Sequence, residues 1–182
     1  MPFYQIDELR SNSEIISIQS DQKSFIDNMY SQAESNHVES PSAYIVLDTK
    51  NATLGFEVMS NASANAGSVT FDVVNYDDNP ETGLSSRDAL VPKSQGAKVI
   101  VGGIHPHPTP EDGSVLVEGV SEYNNAYGGN DKATAVGINA PFYAVDRKYI
   151  HKVNQHGNVE NKKSRSSEVL IDALKTKGGK LE

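Results

Sequence analysis

Two of the five histidines in this 182-residue chain, His105 and His107, stand one residue apart in "VIVGGIHPHPTPEDG", Val99 to Gly113. Residues two apart on an extended segment point to the same side. Pro106 and Pro108 keep the segment extended, because proline fixes its own φ and restricts the residue before it. Two imidazoles presented in this way can offer two nitrogens to one ion at ~2.0–2.1 Å. A bare H-x-H is equally compatible with two solvated loop histidines. Gly102 and Gly103, just before, leave room for another backbone or a substrate to come close. Catalytic zinc generally takes three protein ligands and keeps one position open. Asp131, closing "GGND", stands just before a predicted helix, where it can serve as a third ligand or as an ordinary N-cap.

The elements that must position these residues follow from hydrophobic periodicity. "AKVIVGGIH" is a buried strand that delivers the histidines. "DKATAVGI" reads as one or two helical turns after Asp131, and "APFYAVD" as a further strand with "KYIHKVNQHG" as its hairpin partner. Upstream, Phe25, Ile26, Met29, Tyr30 and Ala33 recur at helical spacing. They predict an amphipathic helix over 21–35 capped by Ser20 or Asp21. "SAYIVLDTK", "TLGFEVMS" and "GSVTFDVVNY" read as strands. "SSEVLIDALKTKGG" reads as a C-terminal helix with Val169, Leu170, Ala173 and Leu174 on one face and Gly178 as its stop. Residues 1–20 look like an arm or a lone edge strand, leaving 21–182 as the domain. The order of elements implies an α/β (α+β) domain around a single mixed sheet flanked by helices. The Gly-, Asn- and Pro-rich connection 108–130 has the length of a functional or mobile loop.

Composition removes whole classes of function. With no cysteine there is no disulfide, thiolate metal site or cysteine nucleophile, and zinc nucleobase deaminases, which need P-C-x-x-C, are excluded. A net charge of −8 does not supply the basic face of a nucleic-acid binder. "NKKSRSS" reads as a solvated turn. No run approaches the ~18 apolar residues of a membrane span. The N-terminus lacks the features of a signal peptide, so the chain reads as cytoplasmic or exported by a signal-less route. The glycines of "GGND" and "VGGI" fit neither phosphate-binding motif and read as turn and close-approach positions. Phe142, Tyr143 and Tyr149 read as core.

Taken in order, these residues resemble the JAB/MPN (JAMM) metalloprotease superfamily, and especially the JAB-like domains of bacterial polymorphic toxins. The family pattern is a glutamate upstream, then H-x-H-P, then S-x-x-D, a short helix and a P-x-Y-x-V-D strand. His105, His107 and Pro108 match H-x-H-P, and Asp131 matches the aspartate by its distance to "PFYAVD". The resemblance spans about residues 21–155 and is firmest over 99–146. It implies a mixed sheet flanked by helices in cytidine-deaminase-like layering, with Zn²⁺ on His105, His107 and Asp131. It also implies a glutamate acting as general base and then acid, and hydrolysis of an amide or isopeptide bond in a peptide or protein substrate. Glu39, at the head of a strand, fits the glutamate's place, with Glu57 inside the next strand as the alternative. A toxin or effector context would bring a cognate immunity protein as partner.

The chain also departs from that pattern. Gly128 occupies the place of the motif serine, which in the family helps stabilise the oxyanion. Loss of such a donor costs about 10²–10³ in rate. Asn130, Asn125 or a backbone N–H could substitute. A second frame, Ser121-x-x-Asn124, keeps the serine but loses the charged ligand. The separation of Pro108 from Asp131, 23 positions, exceeds the family norm. Two other readings stay open: a catalytically impaired JAB-like scaffold or binding module, and an H-x-H metal-dependent phosphoesterase. The latter needs more ligands than His151 and His156 supply.

Overall fold

The computed structural model describes residues 6–18, 21–38, 41–58, 98–108 and 131–177. The expected strand "GSVTFDVVNY" and most of the 108–130 connection lie outside them, as do Glu39, Ser121, Asn124, Asn125, Gly128 and Asn130.

The described chain is a mixed α/β fold on one seven-stranded sheet. In chain order the elements are α1 (Ile6–Ser11), a 3₁₀ turn (Ser13–Ile15), β1 (Ser17–Ile18), α2 (Gln22–Asn36), β2 (Ala43–Asp48), β3 (Thr53–Val58), β4 (Lys98–Pro106), α3 (Asp131–Ile138), β5 (Phe142–Val145), β6 (Tyr149–Val153), β7 (Val159–Ser164) and α4 (Leu170–Lys177). The strands lie in the order β1-β3-β2-β4-β5-β6-β7. β4 and β5 are parallel, as are β1 and β3, and the remaining neighbours are antiparallel. None of the described helices is long and apolar enough to cross a membrane.

α2 forms because its apolar residues fall on one stripe. Ile26, Met29, Tyr30 and Ala33 are buried, the Asp21 carboxylate accepts the Ser24 N–H at 3.1 Å, and His37 ends the helix in the left-handed region at φ 53°. Its first residue also pins the far end of the chain. The Gln22 side-chain oxygen accepts the Val169 and Leu170 N–H groups at 2.9 and 3.0 Å, satisfying donors at the start of α4.

Two apolar clusters lie on opposite faces of the sheet. One holds Leu9, Ile26, Met29, Ile45, Leu47, Ile104, Tyr143, Val145 and Leu174, and so faces α1, α2 and α4. The other holds Tyr44, Val46, Ile100, Ala135, Ile138, Phe142 and Val153, and faces α3. Leu9 is fully buried and β1 pairs with β3, so residues 6–18 are packed into the domain and close one edge of its sheet. The "NKKSRSS" stretch is not only a turn. Its first four residues belong to β7, the other edge, with every residue exposed, and Arg165 after it pairs with Asp27 at 3.0 Å. Phe142 and Tyr143 are buried in the core, while Tyr149 is half-buried.

Candidate metal centre

β4 is out of phase with itself. Val46 pairs with Ile100 but Ile45 pairs with Gly102, so Val101 is an extra residue on β4. Before this bulge the odd-numbered Val99 belongs to the α1/α2/α4 face. After it the even-numbered Ile104 does. The bulge thereby turns His105 to the face covered by α3. Without it, strict alternation would aim the ring among the helices of the opposite face.

The two glycines after the bulge are there for want of space. A Cβ on Gly102 would lie 2.9 Å from Ile45 Cδ1 and 3.3 Å from the Pro141 carbonyl oxygen. One on Gly103 would lie 2.8 Å from Phe142 Cδ1. The close approach is thus to neighbouring strands and side chains of the same domain. Phe142 fills the space over Gly103 and stacks on the His105 ring, with centroids 4.7 Å apart. The His107 N–H donates to the Val145 carbonyl at 2.8 Å, so β4's pairing with β5 runs one residue past the strand and holds the second histidine beside the first.

Asp131 opens α3 at the carboxyl ends of β4 and β5, where open α/β sheets tend to place their ligands. A carboxylate in the first turn of a helix is also favoured by the helix dipole. Two side chains from the end of β4 and one from the start of α3 meet here. His105 Nε2 is 2.9 Å from Asp131 Oδ1, His107 Nε2 is 3.5 Å from Asp131 Oδ2, and the two Nε2 atoms are 3.1 Å apart. All three residues are buried, at 3, 8 and 5% exposure for His105, His107 and Asp131.

The spacing can be set against what an ion requires. Tetrahedral ligands at ~2.0–2.1 Å from a zinc ion stand about 3.3 Å from one another. The 2.9 Å from His105 Nε2 to Asp131 Oδ1 and the 3.1 Å between the two Nε2 atoms lie near that value, while the 3.5 Å from His107 Nε2 is to the other carboxylate oxygen, Oδ2. Two imidazole nitrogens and a carboxylate converging in a buried place make a donor set that a cation can share, the imidazoles donating lone pairs when Nε2 is unprotonated. The buried His105–His107–Asp131 group can therefore hold a metal ion, and among the described residues it is the one cluster with such a donor set.

Of the other residues singled out from the sequence, Glu57 is exposed on β3. Its register partner is Tyr44, whose other partner is Gly103. That row includes Phe142, so Glu57 points to the same face as His105, but two strands away. Glu39, Gly128 and Asn130 lie outside the described residues.

A second buried pair, Asp146 and His151, escaped sequence reasoning. Asp146 Oδ1 accepts the Lys148 and Tyr149 N–H groups at 2.8 and 2.7 Å, closing the β5–β6 turn. Its Oδ2 lies 2.6 Å from His151 Nε2. Burial pushes the Asp146 carboxyl up, but the bond to His151 and the two backbone donors outweigh it and hold the group below the usual carboxylate value. The available signal was His151 opposite Ala144 in a predicted hairpin. His156, by contrast, is exposed in the β6–β7 turn.

On the opposite face Tyr143 donates to Asp172 at 2.6 Å, and the Lys152 ammonium reaches Asp172 at 2.9 Å and Thr176 Oγ1 at 2.7 Å. This network ties α4 to the sheet. No protein family, characterised protein or solved structure matches the chain.

Proposed function

We propose that this chain is a JAB-like zinc hydrolase domain acting on an amide or isopeptide bond in a peptide or protein. The observation that carries the reading is the convergence of His105, His107 and Asp131 at zinc-ligand spacing. Its support from sequence is the H-x-H-P motif and the aspartate placed before "PFYAVD".

When bound, the metal supplies Lewis-acid polarisation of a carbonyl and an acidified water. His105 and His107 contribute neutral donors through Nε2, and Asp131 contributes negative charge that favours a divalent ion. The Phe142 ring and the β4–β5 pairing fix both imidazoles, so little reorganisation accompanies binding. Glu39 takes a proton from the attacking water and passes it to the leaving amine, with Glu57 as the alternative residue for that role. The oxyanion is held by Asn130 or Asn125 or by backbone N–H groups near Gly128, since the motif serine is absent. A role as a toxin or effector with a cognate immunity protein belongs to the same proposal.

Metal content tests it. Protein purified without added metal should carry about one zinc per chain by elemental analysis, and the His107→Ala variant should carry none. A peptidase screen with Glu39→Gln as control should then show cleavage by the wild type alone. Zinc without cleavage would favour the scaffold reading, to which the Gly128 substitution points. No zinc in either protein, even after incubation with the ion, would sink the metalloenzyme.

A further inference from the structure

We infer that Asp146 and His151 are positioning residues for the metal ligand His107, acting on it through the peptide bond between Val145 and Asp146. The inference deepens the hydrolase reading and rests on its assignment of His105, His107 and Asp131 as metal ligands.

The need arises where β4 ends. Pro106 and Pro108 carry no backbone N–H, so His107 offers the only main-chain donor in residues 106–108. That N–H donates to the Val145 carbonyl at 2.8 Å. The register runs out at the same place, since Pro106 and Val145 are the last residues that β4 and β5 pair. The His107 ring must nonetheless hold its Nε2 3.1 Å from that of His105 and 3.5 Å from Asp131 Oδ2. The backbone under this ring is therefore placed only as well as the Val145 carbonyl is.

That carbonyl belongs to a peptide unit held from its other side. A peptide bond is planar, so the Val145 C=O and the Asp146 N–H point in opposite directions and cannot turn separately. The Asp146 N–H donates to the Tyr149 carbonyl, on β6, at 3.0 Å. The Asp146 side chain adds three further ties. Its Oδ1 accepts the Lys148 and Tyr149 N–H groups at 2.8 and 2.7 Å, and its Oδ2 meets His151 Nε2 at 2.6 Å. Asp146 and His151 are both buried, which shields these bonds from water. β6 thus fixes the plane of one peptide, and that plane aims a carbonyl at His107. Turn closure needs only the two bonds at Oδ1. The bond at Oδ2 reaches the middle of β6 and stops the carboxylate from rotating out of the turn.

The test uses the full chain, with zinc alone as the ligand. Amide hydrogen exchange followed by NMR in metal-free protein compares two N–H groups of the β4 segment: that of His107, bonded to Val145, and that of Gly103, bonded to Pro141 at 3.0 Å. In Asp146→Ala the His107 amide should exchange about tenfold faster, with the Gly103 amide within about twofold of wild type. Zinc should bind about tenfold more weakly, the lower end of what the loss of a supporting residue costs a metal site. Asp146→Asn keeps an acceptor for the two turn N–H groups and should recover most of both losses. His151→Phe leaves Asp146 in place and should move both readouts the same way by a smaller factor; it carries the comparison if Asp146→Ala does not fold. A merely structural role would speed both amides alike. That result, or a His107 amide that exchanges as in wild type, overturns the inference, and so does unchanged zinc affinity beside a faster His107 amide. If wild type takes up no zinc, the hydrolase reading fails, and the exchange comparison still decides whether Asp146 and His151 hold His107.

Discussion

His105 Nε2 and Asp131 Oδ1 stand 2.9 Å apart across the junction of β4 and α3, although 26 positions separate them in the chain. A buried carboxylate this close to two imidazole nitrogens can hold a metal ion. If it does, metal affinity and fold stability are linked.

A ligand that binds only the native state raises stability by about 4 kcal/mol when present at a thousand times its Kd. Zinc should accordingly raise the melting temperature of the wild type, and a chelator should lower it. In His107→Ala both responses should vanish. Differential scanning calorimetry with and without chelator reads this directly, and a wild type indifferent to both zinc and chelator would remove the coupling.

Gly103 connects core packing to the metal ligands. In Gly103→Ala the new methyl would meet the edge of Phe142 at 2.8 and 3.0 Å, and Phe142 is the ring on which His105 is stacked. Overpacking of this kind costs about 1–3 kcal/mol. Urea unfolding should show that loss, and zinc titration should show weaker binding even though no ligand atom has been changed. Gly137→Ala is the control, because a Cβ there meets nothing within 4 Å.

Two groups predict opposite ends of the pH–stability curve. Asp146 is held below its ordinary value, so at low pH the unfolded chain takes up this proton first. Stability from Asp146 is intact above about pH 4 and is lost as pH falls further. Tyr30 is pushed up to about 12, first by burial and then by its bond to Glu34. Its contribution is intact below pH 10 and is lost between about 10 and 12, where the unfolded phenol ionises and the folded one does not. Asp146→Asn should flatten the acid limb and Tyr30→Phe the alkaline limb in chemical denaturation across pH. A variant that leaves its limb unchanged would show that the group does not govern it.

Leu9 tests whether the N-terminal segment is part of the domain. It is fully buried beside α4-side residues such as Leu174, and Leu→Ala changes at such sites cost about 2–5 kcal/mol. Leu9→Ala should lower the urea midpoint substantially, and removal of residues 1–20 should lower it more. A truncated chain as stable as the intact one would make the segment dispensable.

The legible parts of the sequence were those with a strong period or strong chemistry. α2 announced itself by Ile26, Met29, Tyr30 and Ala33, and β4 by its apolar run. β7 was hidden because "VENKKS" buries no side chain and is held by backbone pairing to β6, which leaves no hydrophobic alternation to read. α1 was hidden because, among its described side chains, Leu9 alone is buried. H-x-H suggested that the two imidazoles share a side. Which side depended on the bulge at Val101, a tertiary feature without a local signature in a run of valine, isoleucine and glycine. On its own Asp131 read first as a helix cap, and nothing local in the sequence shows that its carboxylate meets the two histidines. The Asp146–His151 pair needed the register of three strands at once.

The two margins of the sheet carry a further consequence. Among the described residues β1 offers a margin only two residues long, and β7 offers one that bears Lys162 and Lys163. Short, lysine-bearing margins are poor templates for a foreign strand. Among the described residues, neither margin therefore offers a long apolar edge on which a second copy could extend the sheet.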